Sequence, residues 1–332
     1  MKLISPKNFK IFRLLLLLFF FLLVTFVIGI FIGRSTEGTP FIKKQNEWAI
    51  GIYTGSYPWN LASPQKNDIN PVLVAKDIKD RKARFIADPF MIIEGGNWFM
   101  FFEVMDNETN QGDIGLAISQ DGFEWEYKQI ILDEPFHLSY PYVFKWNNTY
   151  YMIPESAQVF AVRLYEAIEF PVKWKFVKNI IEGSEYVDSS ILYYNDFWWL
   201  FTSEPPNDIL RVFFAKSIDD TWEEHAKKPV KKGDPNGSRP GGRIILYNER
   251  IIRYAQDDYP TYGNKVRIFE VTKLTTDEYK EKELNEKIIL ETEIVDWNKD
   301  GYHHIDPHQI KSNKWIACID GYKIRLLFGL NY

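Results

Sequence analysis

Carboxylate side chains recur at one position of a repeated sequence segment. Asp88 lies in IADPFMI, Asp188 in VDSSIL and Asp306 in HIDPHQI, whereas two further copies carry Tyr140 and Arg239 at the same position. Carboxylates that a fold forces together in a cleft acquire separated pKa values, so that one can act as an acid and another as a base. The segment therefore predicts acid–base chemistry if the fold brings these side chains together.

The segment occurs five times, at a spacing of about 50 residues. Each copy has a polar residue, usually followed by Pro, then a short apolar strand, a turn and an aromatic-rich second strand. A fixed period of this size is typical of a β-propeller, in which one repeat forms one blade. We therefore predict an all-β fold, a five-bladed β-propeller. The copies are IADPFMIIEGGNWFMFF from Ile86, SYPYVFKWNNTYYMIPE from Ser139, VDSSILYYNDFWWLFTS from Val187, SRPGGRIILYNERIIRYAQ from Ser238 and HIDPHQIKSNKWIACID from His304.

The last repeat is incomplete. A third strand follows in every unit and a fourth in the first four, but the last unit ends after a third strand near Arg325. An unpaired edge there would be a liability. The segment from Glu47 to Gly55 reads as a strand without a blade of its own. We predict that it supplies the missing outer strand and closes the ring, so that residues 47–332 form the propeller.

The N-terminal segment 14–33 is apolar and uncharged. About 20 apolar residues suffice for a helix to cross a bilayer. Four basic residues precede the segment and only Arg34 follows it closely. This excess of positive charge predicts residues 1–13 in the cytoplasm, a transmembrane signal anchor over 14–33, a linker over 34–46 and the propeller on the extracytoplasmic or lumenal side. A cleaved signal peptide is the alternative.

The composition fits a large folded domain and argues against one class of partner. Hydrophobic residues make up 45% and aromatic residues 17% of the chain, which leaves aromatic rings for surfaces that stack on ligands. The net charge is −5 without a basic stripe, so we do not expect nucleic acid as a partner. Cys318 is the single cysteine, which rules out an intrachain disulfide.

Hairpin topology predicts where the polar residues meet. The first and second strands of a blade are antiparallel, so the start of the first lies beside the end of the second, where Glu103, Glu155 and Asp320 occur. Both positions converge on the mouth of the central channel, where propellers bind ligands. An Asp at a strand start can instead cap a turn or pair with an arginine. The predicted substrate-binding residues are Tyr140, Arg239, Arg243, Gln256, Asp257, Tyr262, His304 and Asp306.

His304, Asp306 and His308 alternate along one predicted strand, so their side chains face the same side. If that side is the channel, they either hold a structural or central cation or form hydrogen bonds in a polar channel. The pattern is short, and we prefer hydrogen bonding. We therefore assign no metal ligand and no cofactor from the sequence.

Several runs resemble one family: FIADPFMI, SYPYVF, YVDSSIL, SRPGGR, AQDDYPTYG and HHIDPHQI. They are similar to the propeller domain that precedes the glycosyltransferase in plant glucosamine inositolphosphorylceramide transferases, over Trp48 to about Tyr332. Those enzymes are anchored in the membrane at the N-terminus, and transfer is assigned to a separate C-terminal domain. The resemblance implies a glycan or glycolipid ligand and a separate glycosyltransferase as partner. This chain itself has no Asp-x-Asp triplet of the kind that holds a metal-bound nucleotide sugar.

The plan is more distantly similar to the five-bladed glycosidases of families 43, 32 and 68. Those enzymes use an Asp base or nucleophile, a Glu acid and an Asp that tunes the acid. By position, this similarity implies Asp88 as base or nucleophile, Glu155 as acid and Asp188 as the tuning residue. The second blade carries Tyr140 where many members carry the tuning Asp.

Two functions from different classes remain open. In the first, a membrane-anchored propeller recognises a glycan or glycolipid as an accessory module to glycosyl transfer. In the second, the chain is a glycoside hydrolase-like enzyme that uses the carboxylate set. A propeller that only binds other proteins is a third interpretation.

Overall fold

A computed structural model describes residues 6–35, 42–64, 70–285 and 296–328. The chain divides into two compact units, residues 1–47 with 324–332 and residues 48–323. The first unit contains helix α1 (Pro6–Ser35), whose segment Lys10–Ile30 is long and apolar enough to cross a membrane. The predicted span over 14–33 lies within this helix. Parts of the predicted N-terminal tail and linker, at 1–5 and 36–41, lie outside the described residues.

Five antiparallel sheets form the blades of the predicted propeller. Blade 1 contains β4 (Ala83–Glu94), β5 (Asn97–Asp106), β6 (Gly112–Ser119) and β7 (Glu126–Leu132). Blade 2 contains β8 (Ser139–Trp146), β9 (Thr149–Glu155), β10 (Ala161–Glu169) and β11 (Lys173–Glu182). Blade 3 contains β12 (Val187–Tyr194), β13 (Phe197–Glu204), β14 (Ile209–Ala215), β15 (Glu223–Glu224) and β16 (Lys231–Lys232). Blade 4 contains β17 (Ile245–Tyr247), β18 (Arg250–Asp257), β19 (Lys265–Leu274) and β20 (Tyr279–Glu283).

The fifth blade joins strands from both ends of the chain. It contains β21 (Ile305–Lys311), β22 (Lys314–Phe328), β1 (Ile42–Tyr57) and β2 (Asn60–Ala62) in that order, and β3 (Leu73–Val74) also pairs with β1. The N-terminal strand β1 therefore lies third in this sheet, with β2 and β3 outside it. The prediction of a separate third strand near Arg325 is wrong. The second strand of this blade, β22, continues through Gly321 without a turn and includes Arg325. Short 3-10 helices cover Ala75–Asp77, Ala157–Val159 and Asp296–Asn298.

Tight turns join the inner and second strands of four blades. Both turn residues have positive φ, as in the two-residue turns whose twist suits a β-hairpin. These pairs are Gly95–Gly96, Asn147–Asn148, Asn195–Asp196 and Asn248–Glu249. Trp98, Trp198 and Trp315, which belong to the aromatic-rich second strands, are buried in apolar clusters that combine residues of neighbouring blades. These tryptophans hold the blades together and leave the polar positions at the opposite strand ends for a site.

Candidate functional site

Three strained residues lie at the start of the inner strands of blades 1 to 3. Asp88, Tyr140 and Asp188 have φ angles of 53°, 44° and 49°, a region that residues other than glycine rarely adopt. Each lies at a register shift between its inner and second strands, which is the pattern of a β-bulge. Such backbone costs about 1–3 kcal/mol per residue and clusters at functional sites. The bulges bring all three residues into contact with polar groups of other blades.

The Asp88 carboxylate contacts the second and fifth blades. Its Oδ2 accepts a hydrogen bond from the N–H of Tyr140 at 3.3 Å, and its own N–H donates to Oδ2 of Asp320 at 3.1 Å. Its Oδ1 is buried and has no hydrogen-bond partner. Burial, together with the charges of Asp188 and Asp320, raises the pKa of Asp88 to about 7, against the opposing charge of His303. Asp88 is thus fixed in place and keeps one acceptor free.

Two histidines and a second carboxylate complete this cluster, which we name the Asp88 group (Asp88, His303, His304 and Asp320). Nδ1 of His303 lies 2.7 Å from Oδ2 of Asp320, and Oδ1 of Asp320 accepts the N–H groups of both histidines at 3.1 and 3.0 Å. Burial favours the neutral His303 ring, but the charge and hydrogen bond of Asp320 raise its pKa to about 9. Burial likewise opposes ionisation of Asp320, but the His303 charge holds its pKa below the usual range.

A second cluster forms around Asp188, which we name the Asp188 group (Glu155, Asp188, Arg239 and Gln256). Oδ2 of Asp188 accepts hydrogen bonds from Nε of Arg239 at 2.5 Å and from the Gln256 amide. The N–H of Asp188 donates to Oε2 of Glu155 at 3.2 Å, and Arg239 Nη2 lies 3.7 Å from the same oxygen. Oδ1 of Asp188 is buried and has no hydrogen-bond partner. Burial and the charge of Asp188 raise the pKa of Glu155 well above its usual value.

An exposed aromatic ring lies beside the Asp188 group. Tyr262 is 44% exposed, and its ring centroid is 5.4 Å from the Arg239 guanidinium carbon and 5.2 Å from the His303 ring. Trp48 also packs against His303, at 4.4 Å between ring centroids, and its ring centroid lies 6.4 Å from that of Tyr262. Tyr262, one of the predicted substrate-binding residues, therefore has an exposed ring next to both groups.

The Tyr140 phenol is engaged in the protein interior. Its oxygen accepts the N–H of Gly242 at 2.6 Å, donates to the Gly242 carbonyl at 3.1 Å and lies 2.8 Å from Oγ of Ser190. Tyr140 is fully buried. Its side chain ties blade 2 to blades 3 and 4, and only its backbone N–H contacts Asp88.

Arg243 and Asp306 form a separate ion pair. Nε of Arg243 lies 2.5 Å from Oδ1 of Asp306, and Oδ2 accepts the N–H of Met91 at 2.6 Å. Nε2 of His308 lies 2.8 Å from the same Oδ2, and Arg243 also donates to the Val143 carbonyl at 3.0 Å. Burial alone would raise the pKa of Asp306, but the Arg243 charge outweighs burial and holds that pKa far below its usual value. Both carboxylate oxygens of Asp306 are thus used within the protein.

Some of the predicted substrate-binding residues lie outside the Asp88 and Asp188 groups, and one residue of the Asp88 group was not predicted from the sequence. Asp257 pairs with Nε of Arg267 at 2.8 Å, outside both groups. The next residue, Asp258, accepts a hydrogen bond from Asn207, and the nearby charges of Arg239 and His303 act against the burial that raises its pKa. His303 was absent from the prediction because it precedes β21, so strand alternation did not cover it. Its only signal in the sequence is the His-His pair.

Glu103 is a further buried acid of the predicted rim. It lies beside Ala87 in the register of β4 and β5, and its Oε1 is 3.6 Å from Nε2 of His137. Burial and the charge of Asp88 raise its pKa well above the usual value. Among the described residues, one cluster has donor atoms close enough to share a metal ion, with Asp88, His303 and Asp320 atoms within 4.8 Å of one another.

Comparison with known sequences identifies one family. Residues 42–322 match the family described as glucosamine inositolphosphorylceramide transferase 1, N-terminal. The rice (Oryza sativa subsp. japonica) glucosamine inositolphosphorylceramide transferase 1 is 37% identical over 314 residues, covering 86% of this chain and 42% of the rice protein. The Arabidopsis thaliana protein of the same name is 32% identical over 326 residues, covering 90% of this chain and 42% of its own length. The chain thus spans about 42% of the length of these curated relatives.

Solved structures of carbohydrate-active enzymes share the fold. A β-1,2-mannobiose phosphorylase from Listeria innocua aligns with a TM-score of 0.58 at 12% identity, over 82% of this chain and 97% of that one. A putative glycoside hydrolase from Parabacteroides distasonis aligns with a TM-score of 0.57 at 13% identity, over 83% of this chain and 99% of that one. At this identity the likeness concerns the fold alone.

Proposed function

The chain belongs to the family of glucosamine inositolphosphorylceramide transferase N-terminal domains, and on that premise we propose that it is a membrane-anchored module that recognises a glycan or glycolipid headgroup as an accessory to glycosyl transfer. The ligand binds at the Asp188 group and against Tyr262. The relatives are named glucosamine inositolphosphorylceramide transferases. Because this chain spans only part of their length, the proposal places the transfer step on a separate glycosyltransferase.

One observation carries the proposal: the buried Oδ1 of Asp188 has no hydrogen-bond partner although its other oxygen is held by Arg239. A buried acceptor without a partner costs about 1–3 kcal/mol, which a hydroxyl group of a bound sugar would recover. Arg239 is itself 14% exposed, and the exposed ring of Tyr262 lies against its guanidinium. An aromatic face beside convergent polar groups suits the apolar face and hydroxyl groups of a sugar ring.

The membrane-anchoring part of the proposal rests on α1. Basic residues at positions 2, 7, 10 and 13 lie before or at the start of its apolar segment Lys10–Ile30. By the positive-inside rule the N-terminus stays in the cytoplasm, and the propeller lies on the extracytoplasmic or lumenal side. A ligand attached to a lipid of the same bilayer would then be available to it.

A glycan array, probed with the full chain in detergent or nanodiscs, tests the proposal. We expect Asp188→Asn to weaken binding about 10- to 100-fold, because a hydrogen bond to a charged group contributes about 1.5–3 kcal/mol. Asp196→Asn is the matched control: Asp196 also has positive φ but lies in the hairpin turn at the other end of the same strand pair. Asparagine tolerates this backbone, so both variants should fold. The absence of binding to every glycan and inositol-containing glycolipid on the array would reject the proposal.

A second candidate function is favoured by the grouping of carboxylates from three successive blades. Glu155 contacts both the backbone of Asp188 and the side chain of Arg239, and Asp88 lies in the neighbouring group. A glycoside hydrolase-like enzyme would use such a set for acid–base catalysis. Hydrolysis of an array glycan by the wild type, lost in Glu155→Gln but kept in Asp196→Asn, would establish this function. Binding without turnover across the array would reject it.

A further inference from the structure

Two buried acceptor atoms of the Asp88 group face each other without a donor between them. Oδ1 of Asp88 lies 4.0 Å from Nδ1 of His304, and neither atom has a hydrogen-bond partner. Asp88 is 5% exposed and His304 is fully buried. Buried polar atoms are almost always paired, so two unpaired acceptors 4.0 Å apart require an explanation.

The other ring nitrogen of each histidine lies close to an acceptor oxygen. Nε2 of His304 lies 2.9 Å from the carbonyl oxygen of Pro89, which can only accept, so Nε2 carries the hydrogen and Nδ1 presents a lone pair. Nδ1 of His303 lies 2.7 Å from Oδ2 of Asp320, and its Nε2 lies 3.8 Å from Oδ1 of Asp88. Histidines that bind metals are held in this way, with the second nitrogen donating to a carboxylate or a backbone carbonyl.

We propose that Asp88, His303 and His304 bind a divalent transition-metal ion, and that Asp320 orients His303 from behind. Two imidazoles and one carboxylate suit zinc, iron or manganese, whereas calcium prefers a shell made of oxygen atoms. Bonds of about 2.0–2.2 Å place ligand atoms roughly 3–4 Å apart around one ion. The separations of 3.8 and 4.0 Å to Asp88 Oδ1 lie at the upper end of that range.

This site differs from the one that the His-x-Asp-x-His pattern indicates. Asp306 and His308 are bound to each other, and Asp306 is paired with Arg243, so they are not available to the same ion. Only His304 belongs to both sets. The proposal does not depend on glycan recognition, because every atom in it belongs to the Asp88 group and none to the Asp188 group.

Metal binding by the full chain in detergent tests the proposal. After chelation and removal of the chelator, we expect one zinc or cobalt ion per chain by elemental analysis. His304→Gln and Asp88→Asn should each weaken zinc binding more than 100-fold, and Asp320→Asn about 10- to 100-fold as a residue that acts through His303. His308→Gln is the matched control, since it removes a histidine of the adjacent ion pair, and it should bind zinc as the wild type does.

X-ray absorption of the zinc-loaded wild type keeps the test independent of whether the variants fold. Two imidazole ligands and oxygen donors in the spectrum would support the site. A wild-type chain that takes up less than about 0.1 ion of zinc, cobalt, manganese or iron per chain would overturn the proposal and leave His303 as the charged partner of Asp320. Loss of zinc in His308→Gln, or a spectrum without imidazole, would overturn it as well.

Discussion

Replacing Tyr140 by phenylalanine tests whether this residue holds the blades together or binds the ligand. The sequence places Tyr140 in the predicted substrate-binding set, whereas in the fold its phenol oxygen contacts Gly242 and Ser190. Tyr140→Phe keeps the ring and removes only the hydroxyl. We therefore expect lower stability and unchanged ligand affinity.

The expected loss of stability has two parts. The buried N–H of Gly242 donates only to the phenol, and leaving such a donor unpaired costs about 1–3 kcal/mol. The bond from the phenol to the Gly242 carbonyl contributes about 0.5–1.5 kcal/mol net. Ser190 Oγ still donates to that carbonyl at 2.9 Å, so the acceptor keeps a partner. The free energy of unfolding should fall by about 1.5–4.5 kcal/mol in total.

Chemical unfolding of the full chain in detergent, followed by tryptophan fluorescence, measures this loss. Tyr142→Phe is the matched control, because the buried Tyr142 phenol donates a hydrogen bond to the Ile191 carbonyl at 2.7 Å and does not contact Gly242 in the way the Tyr140 phenol does. The control should lose about 0.5–1.5 kcal/mol. If Tyr140→Phe loses no more than the control but weakens glycan binding at least tenfold, the phenol serves the ligand and the structural assignment is wrong.

Three further perturbations give distinct outcomes. Arg253 is fully buried against Glu281. Burial alone would raise the pKa of Glu281, but the charge of Arg253 outweighs burial and lowers that pKa. The stability that this pair contributes is therefore complete above the unfolded pKa of Glu281, about 4.3, and is lost as the pH falls through its lower folded pKa. The loss of unfolding free energy caused by Glu281→Gln should therefore become smaller in acid. A loss that does not change with pH contradicts this. Gly242→Ala should lower the free energy of unfolding by at least about 3 kcal/mol, because φ is 137° and a Cβ would lie 1.7 Å from a carbonyl oxygen. Gly96→Ala is the control: with φ 83° and open space around the added Cβ, it should cost only about 1 kcal/mol. Equal losses in the two variants would refute the steric reasoning. Phe20→Arg, near the middle of the apolar helix, should reduce membrane insertion by about 2.5–3.5 kcal/mol and release more chain on alkaline carbonate extraction than Phe20→Leu does; equal release would show that the helix does not anchor the chain.

The fixed period of the repeat predicted the five blades. Hairpin geometry fixes which strand ends lie side by side, so the repeat also predicted which residues meet at the rim of the channel. It could not predict the pairing of Arg243 with Asp306, which joins residues far apart in sequence on different blades. The sequence also did not predict which way the carboxylates point at the end of β18. Asp257 turns toward Arg267 although Asp258 lies near Arg239.

The residues at the start of the five inner strands differ in backbone conformation and in the partners of their side chains. The strained backbone occurs at Asp88, Tyr140 and Asp188, whereas Arg239 and Asp306 lack positive φ. Each of the latter two pairs with a partner from another position of the ring, Arg239 with Asp188 and Asp306 with Arg243. A cation in blade 4 thus fixes one oxygen of a carboxylate in blade 3 and leaves the other without a partner. Because Asp306 uses both of its carboxylate oxygens within the protein and Asp188 uses one, we propose the ligand site at Asp188 rather than at Asp306.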